Sequence, residues 1–196
     1  EKIFSTRLTN MQSLLYVVSA ALACVTHVQV IKPGKCPEFV TKDPFDIPPY
    51  LGMWYEITKF ANIDQLGTTC NYAVYSDNGD GTVGVHNAGL DAEGNVSEIY
   101  GYVEESDIPG RLLLHLNGVP VVGDYNVLDT DYETWTAVYS CGNLLGVSVE
   151  QAWILARNST LTEEQRADVL AAYTKWGIDI THFTDTPQDD CTYGPN

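Results

Sequence analysis

Basic residues are scarce in this chain. Ten lysines and arginines stand against 26 aspartates and glutamates in 196 residues, a formal net charge of −16 at pH 7. A surface so acidic repels phosphate backbones and anionic lipid, which excludes nucleic acid as a partner and argues against anionic membranes. Long apolar runs are missing too: the longest, Leu14–Cys24, has eleven residues, against roughly 20 for a transmembrane helix. There are five cysteines and no CxxC pair, so a thiolate zinc site lacks its usual spacing. HExxH, GxSxG and a glycine-rich phosphate loop are all absent. The pairs Glu104-Glu105 and Asp189-Asp190 are neighbours in sequence only; on extended chain they point apart and read as solvated charge. No metal ligand and no catalytic residue is assigned.

What remains suits one globular domain. Hydrophobic residues make up 44% and charged residues 18%, without the bias of a disordered chain. Residues 1–10 precede Met11, the first methionine, and read as an upstream extension. Leu14–Cys24 suits the apolar core of a secretory signal, which makes residues 11–28 a signal peptide with cleavage between Ala23 and Gln29. A buried helix and a bacterial lipoprotein box at Ala21-Leu22-Ala23-Cys24 are the competing readings. Residues 29–196 are then a single secreted, extracellular domain. Cys36, Cys70, Cys141 and Cys191 remain in it, an even number that reads as two disulfides with three connectivities open. Sequons at Asn95 and Asn158 offer sites for surface glycans.

A proline-rich lead-in covers residues 32–50, and beyond it turn signals recur every 8–14 residues between runs rich in Val, Ile, Tyr and Thr. That spacing belongs to an all-β barrel or sandwich. Strands are expected near 53–61, 70–76, 82–88, 96–105, 111–116, 121–129, 134–141 and 149–157, with Asp77–Gly81 and Asp91–Gly94 as hairpin turns. Eight sequential strands with short turns suit an up-and-down antiparallel barrel. One helix stands out near the C-terminus. Thr162 and Gln165 form a capping box, Glu163 and Glu164 meet the positive end of the helix dipole, and Gly177 ends the helix. Leu161 can staple onto it, and Ala167, Val169, Leu170, Ala171, Tyr173 and Trp176 are its expected buried stripe.

Three segments carry a more specific signal in their order and spacing: Gly52-Met53-Trp54-Tyr55-Glu56-Ile57, Thr130-Asp131-Tyr132, and Arg157 at the end of the last long strand. Together with Gly34-Lys35-Cys36-Pro37 and Ala137–Cys141, they resemble the signature regions of the lipocalins, and of the apolipoprotein D and bilin-binding branch that includes the crustacyanins. The resemblance covers residues 34–193. It implies an eight-stranded barrel with the helix packed outside and a floor plugged by Trp54 under the Arg157 guanidinium, with Gly52 beside them. It also implies the pairings Cys36–Cys141 and Cys70–Cys191.

Period-two alternation then assigns the cavity. If Arg157 reaches the floor, Leu155, Trp153 and Gln151 share its inward face, and Glu56, Thr58 and Phe60 share that of Trp54. Tyr75 and Tyr125 correspond to aromatic-rich strand segments of the branch and join them as wall residues. Trp153 reads as a stacking wall at mid-depth, with plain core packing the alternative. Tyr100 and Tyr102 share one face of the fourth strand, inward or outward. His86 and His115 lie on strands, where a solvated histidine is the favoured reading over a haem or ligand contact; His27 leaves with the signal, and His182 completes the set.

The expected function is a carrier that keeps one small hydrophobic molecule out of water. The branch proposes a bilin, carotenoid, retinoid, steroid or fatty acid, and the abundance of aromatics leans to a conjugated pigment such as biliverdin. No cofactor is obligatory; biliverdin or a carotenoid is the candidate bound pigment, and a weak homo-oligomer the candidate protein partner. The alternatives are an enzyme on the same fold using a free Cys70 thiol, a haem protein, and a signalling or immune protein acting through its outer surface.

Overall fold

The computed structural model describes residues 30–62 and 65–193. The expected upstream extension (1–10) and signal peptide (11–28), with His27, lie outside the described residues. Ten strands follow in order: β1 (Val30–Pro33), β2 (Gly52–Phe60), β3 (Thr69–Asp77), β4 (Val83–Leu90), β5 (Val96–Glu105), β6 (Arg111–Leu116), β7 (Gly123–Thr130), β8 (Trp135–Leu144), β9 (Val147–Ala156) and β10 (Phe183–Asp185). A single helical turn, α1 (Ile47–Tyr50), precedes β2, and α2 (Glu163–Thr174) follows β9. Strands β2 to β9 pair antiparallel with their neighbours in sequence, and β9 returns to β2 to close the barrel. Each expected strand is present, displaced by no more than a few residues.

Two short strands were not expected from the pattern. β1 lies on the start of β9, pairing Val30 with Glu150. β10 lies on the end of β2, pairing Phe183 with Phe60. Both are too short for periodicity to reveal, and both cover ladder edges that barrel closure leaves open. The direct β2–β3 pairing stops at Tyr55 and Tyr72. Beyond that point the C-terminal tail enters the gap: the Thr186 N–H donates to the Ile57 carbonyl and the Cys70 N–H to that of Pro187. The Gln188 amide then bridges the Glu56 and Asn71 carbonyls at 2.7 and 2.8 Å. A side chain thus replaces the missing ladder bonds of two strands that have parted.

Helix α2 starts as its sequence requires. Thr162 accepts from the Gln165 N–H while the Gln165 side chain accepts from the Thr162 N–H, so two otherwise unpaired donors are satisfied. Its buried face is Val169, Ala172 and Tyr173, with Leu170 and Trp176 partly covered. Ala167 and Ala171 are exposed, contrary to the stripe expected from composition, because the i, i+3, i+4, i+7 face set by Val169 leaves them on the solvent side. That face packs on the outside of the barrel against Ile57, Phe60, Leu128, Tyr139 and Ile154. A second apolar cluster fills the lower interior of the barrel: Trp54, Tyr75, Val85, Val103, Leu112, Val127 and Leu155 among others. Two disulfides, Cys36–Cys141 and Cys70–Cys191, tie the lead-in to β8 and the tail to β3.

Candidate functional site

The floor is built around Trp54, which is fully buried. Its indole N–H donates to the Tyr50 carbonyl at 2.8 Å, and the Arg157 guanidinium carbon lies 3.7 Å from the ring centroid. Arg157 also donates to the carbonyls of Pro49, Met53 and Tyr132. One guanidinium therefore joins the lead-in, the first barrel strand and the β7–β8 turn, a task that suits its planar fork of donors. Gly52 makes this possible. Its φ is +95°, and a Cβ there would stand 3.4 Å from Arg157 Nη1.

The β7–β8 turn is held by Asp131, which accepts from the N–H groups of Glu133, Thr134 and Trp135 and from the Thr134 hydroxyl. Burial pushes its pKa up, but the Thr134 hydroxyl and these N–H groups outweigh burial and hold the carboxyl below its ordinary 3.8. A group whose pKa is depressed by folding contributes stability above its unfolded value and loses it as pH falls through the folded one. The melting temperature should therefore fall as pH drops below about 4. Asp131→Asn should melt lower at pH 7 and lose less on acidification. Parallel melting curves for parent and variant from pH 7 to 2 would remove Asp131 from this account.

Above the floor lies a cavity of about 900 Å³. Strand β2 runs upward from Trp54 at the floor, so the β2–β3, β4–β5, β6–β7 and β8–β9 connections form the open end. Exposed apolar side chains stand there: Leu66, Val121 and Leu145 in the first, third and last of these connections, and Val96 at the start of β5. Trp153, Tyr75, Tyr125, Glu56 and Leu155 line the cavity. Thr58 and Phe60, which alternation put on the same wall, do not. A bulge between Glu56 and Thr58 shifts the β2–β9 register, and the phase of alternation reverses across it. Phe60 turns outward against Phe183 and His182. Thr58 donates to the Thr184 carbonyl.

The same bulge brings in Lys59, a residue the pattern did not single out. Its Nζ is 2.6 Å from Glu56 Oε1, in a pair almost wholly removed from solvent. Glu56 Oε1 also accepts from Asn71 and Thr186, and Oε2 from Gln65. Gln65 in turn accepts from the Trp153 indole N–H at 3.0 Å. Every member of this network has a partner, as a buried ion pair needs in order to be tolerated. It links a wall tryptophan on β9 to Thr186 in the tail through Gln65 and Glu56.

At the bottom of the cavity three tyrosines and a threonine form a chain of hydroxyls. Thr136 meets Tyr50 at 3.2 Å, Tyr50 meets Tyr125 at 2.8 Å, and Tyr125 meets Tyr75 at 2.9 Å. Four hydroxyls share three hydrogen bonds, so one O–H is left to donate. Burial pushes Tyr50 up to about 12 and also raises Tyr75 and Tyr125, so all three stay neutral across the physiological range. Tyr50 was missed because it sits in a proline-rich lead-in without strand periodicity.

The remaining candidates point elsewhere. His86 stacks on Tyr100 and His115 on Tyr102, with centroids 4.3 and 4.6 Å apart. Neighbouring residues on these strands, Val85, Val103 and Leu114, belong to the inner cluster or pack against it. Both histidines and both tyrosines therefore face outward, beside Glu98 and Glu104, and neither histidine can reach a molecule in the cavity. Cys70 is held in its disulfide and offers no thiol. Asn95 and Asn158 are exposed.

The comparisons agree with this geometry. A family model described as a lipocalin-like domain matches residues 45–188. Apolipoprotein D of Cavia porcellus is 35% identical over 185 residues, covering 93% of this chain and 97% of the relative. Among solved structures, lobster apocrustacyanin A1 superposes with a TM-score of 0.74 at 23% identity, covering 82% of this chain and 92% of the other. Insecticyanin of the tobacco hornworm Manduca sexta superposes with a TM-score of 0.74 at 21% identity, covering 83% and 90%. The two structures speak for the fold; the family model and the sequence relative go further, and by them the chain belongs to the lipocalin family, with apolipoprotein D among its relatives.

Proposed function

We propose that the protein is an extracellular carrier that encloses one small, largely apolar molecule in the barrel and holds it out of water. The observation that carries this reading is a cavity of about 900 Å³ above a floor sealed by Trp54 and Arg157. Such a volume is at the upper end of the range for small-molecule sites. Burial of apolar ligand surface, at about 25 cal/mol per Å², supplies the driving force, and the Trp153 face and the tyrosine hydroxyls orient the guest. The two disulfides suit an oxidising, extracytoplasmic setting. Flat conjugated molecules are the favoured class, bilins, carotenoids and retinoids before steroids and fatty acids, because Trp153, Tyr75 and Tyr125 offer aromatic walls.

The test compares two tryptophans. Trp153→Ala should weaken binding of biliverdin or retinol by about 1–3 kcal/mol, the worth of one lost aromatic surface. Trp176, packed on the outside of the barrel, should when replaced by Ala lower the melting temperature and leave affinity unchanged. Fluorescence titration of parent and both variants measures this. Equal affinity of parent and Trp153→Ala for every ligand would take Trp153 out of the site.

A further inference from the structure

The cavity offers no cation that is free of a partner among the described residues. Its lining includes the Glu56 carboxylate and six carboxamides, Asn62, Gln65, Asn71, Asn87, Asn117 and Gln151, while the Glu98 and Asp124 carboxylates at its margin turn outward to His86 and Arg111. Among the described residues, no lysine, arginine or histidine lines it. The nearest ammonium, Lys59, is committed to Glu56 at 2.6 Å and to the Thr68 hydroxyl at 3.1 Å. Arg111 is engaged by Asp124 at 2.9 Å. The open end is no different, since residues 61–68, 91–95, 117–122 and 145–146 contain no basic residue. Lys32, on the strand beside β9, is paired with Glu150.

We propose that the cavity selects uncharged ligands bearing hydroxyl, keto or amide groups and rejects molecules that must bury a carboxylate. The proposal rests on the carrier reading above and narrows its ligand class, setting carotenoids, retinol and bilin esters before biliverdin itself, whose two propionates lack a counter-charge here. An ionised carboxylate entering here finds amide and hydroxyl donors but no cation, and burying an ion without a counter-charge is costly. Capturing Lys59 would strip Glu56 of its own partner, moving the unpaired charge without removing it. A neutral oxygen meets no such obstacle. The spare O–H of the tyrosine chain can donate to a keto group, a Tyr75 or Tyr125 oxygen can accept from a hydroxyl, and the amides can do both. An acid can enter in its protonated form, so its affinity rises as pH falls toward its own pKa, whereas that of a neutral ligand stays level.

Matched pairs test this: retinol against retinoic acid, hexadecanol against palmitic acid, and biliverdin dimethyl ester against biliverdin, by tryptophan quenching at pH 7.5. The neutral member should bind at least about tenfold more tightly in each pair. Acids that bind as tightly as their neutral partners, or more tightly, overturn the proposal while leaving the carrier reading in place. Failure of all six compounds to bind overturns both. Glu56→Gln should release Lys59 and raise the ratio of acid to neutral affinity about fivefold or more within each pair. Should that variant not fold, Gln151→Arg places a cation on the lining without touching the Glu56 network. Acid binding by Gln151→Arg as weak as that of the parent would show that charge is not what excludes acids, and the proposal would fall.

Discussion

Trp54→Ala should lower the stability of the barrel by about 3–5 kcal/mol, the range for deleting a fully buried large aromatic side chain. The indole has no exposed surface, packs 5.2 Å from the Tyr50 ring, and gives its N–H to the Tyr50 carbonyl. Its removal opens a void at the one place where the barrel is sealed and takes away the surface on which Arg157 stacks. Arg157→Ala should cost less, about 2–3 kcal/mol, because the guanidinium is only half-buried and water can take over some of its hydrogen bonds to Pro49, Met53 and Tyr132. Trp54→Phe keeps a ring under the arginine and loses the hydrogen bond, and should fall between parent and Trp54→Ala. Urea unfolding of the four proteins gives the order directly. A Trp54→Ala midpoint equal to that of the parent would mean that the floor contacts do not hold the barrel closed.

Removing the Cys70–Cys191 bridge by the double substitution Cys70→Ala and Cys191→Ala should cost about 3–5 kcal/mol in thermal or denaturant unfolding, as expected for a cross-link closing a long loop. The two cysteines are 121 residues apart. The loss should extend beyond chain entropy, for the bridge anchors the tail that enters between β2 and β3. Thr186 and Gln188, a few residues before Cys191, hold the Glu56 carboxylate and the Glu56 and Asn71 carbonyls. Freed from the bridge, the tail should exchange its amide hydrogens faster, and ligand affinity should drop with it, since Glu56 supports the Gln65–Trp153 contact. Hydrogen exchange limited to residues near Cys191, with affinity unchanged, would show that the tail merely covers the barrel. The corresponding change at Cys36 and Cys141 should lower stability without that loss of affinity, because this bridge ties the lead-in to β8, away from the Glu56 network.

Much of the fold was legible because its signals are local. Turn residues at Asp77–Gly81 and Asp91–Gly94 mark the hairpins by their tolerance of positive φ; Gly79 and Gly94 adopt +75° and +83°. The capping box at Thr162 and Gln165 announces α2 within four residues. On β9, where no bulge interrupts the ladder, alternation put Gln151, Trp153 and Leu155 on one face, and all three line the cavity. On β2 the same rule failed after Glu56, because one inserted residue reverses the phase and a bulge leaves no reliable mark in a single sequence. That failure put Thr58 and Phe60 on the wrong side and hid Lys59.

By itself, the sequence determined the eight strands of the barrel, the helix, and an acidic chain with few cations to spare, while its resemblance to the lipocalins marked Trp54 and Arg157 as the floor. The former follow from propensity, periodicity and composition, which act over a few residues at a time or over the chain as a whole. Only the tertiary structure decided which charges meet. Glu56, Lys59, Gln65, Asn71, Trp153 and Thr186 become one network, and Tyr50, Tyr75, Tyr125 and Thr136 another, solely because barrel closure and the inserted tail bring distant segments within hydrogen-bond distance. The polar character of the cavity wall resides in those long-range contacts, since burial and pairing, which set the cost of a charge, are properties of the closed barrel and of no segment taken alone.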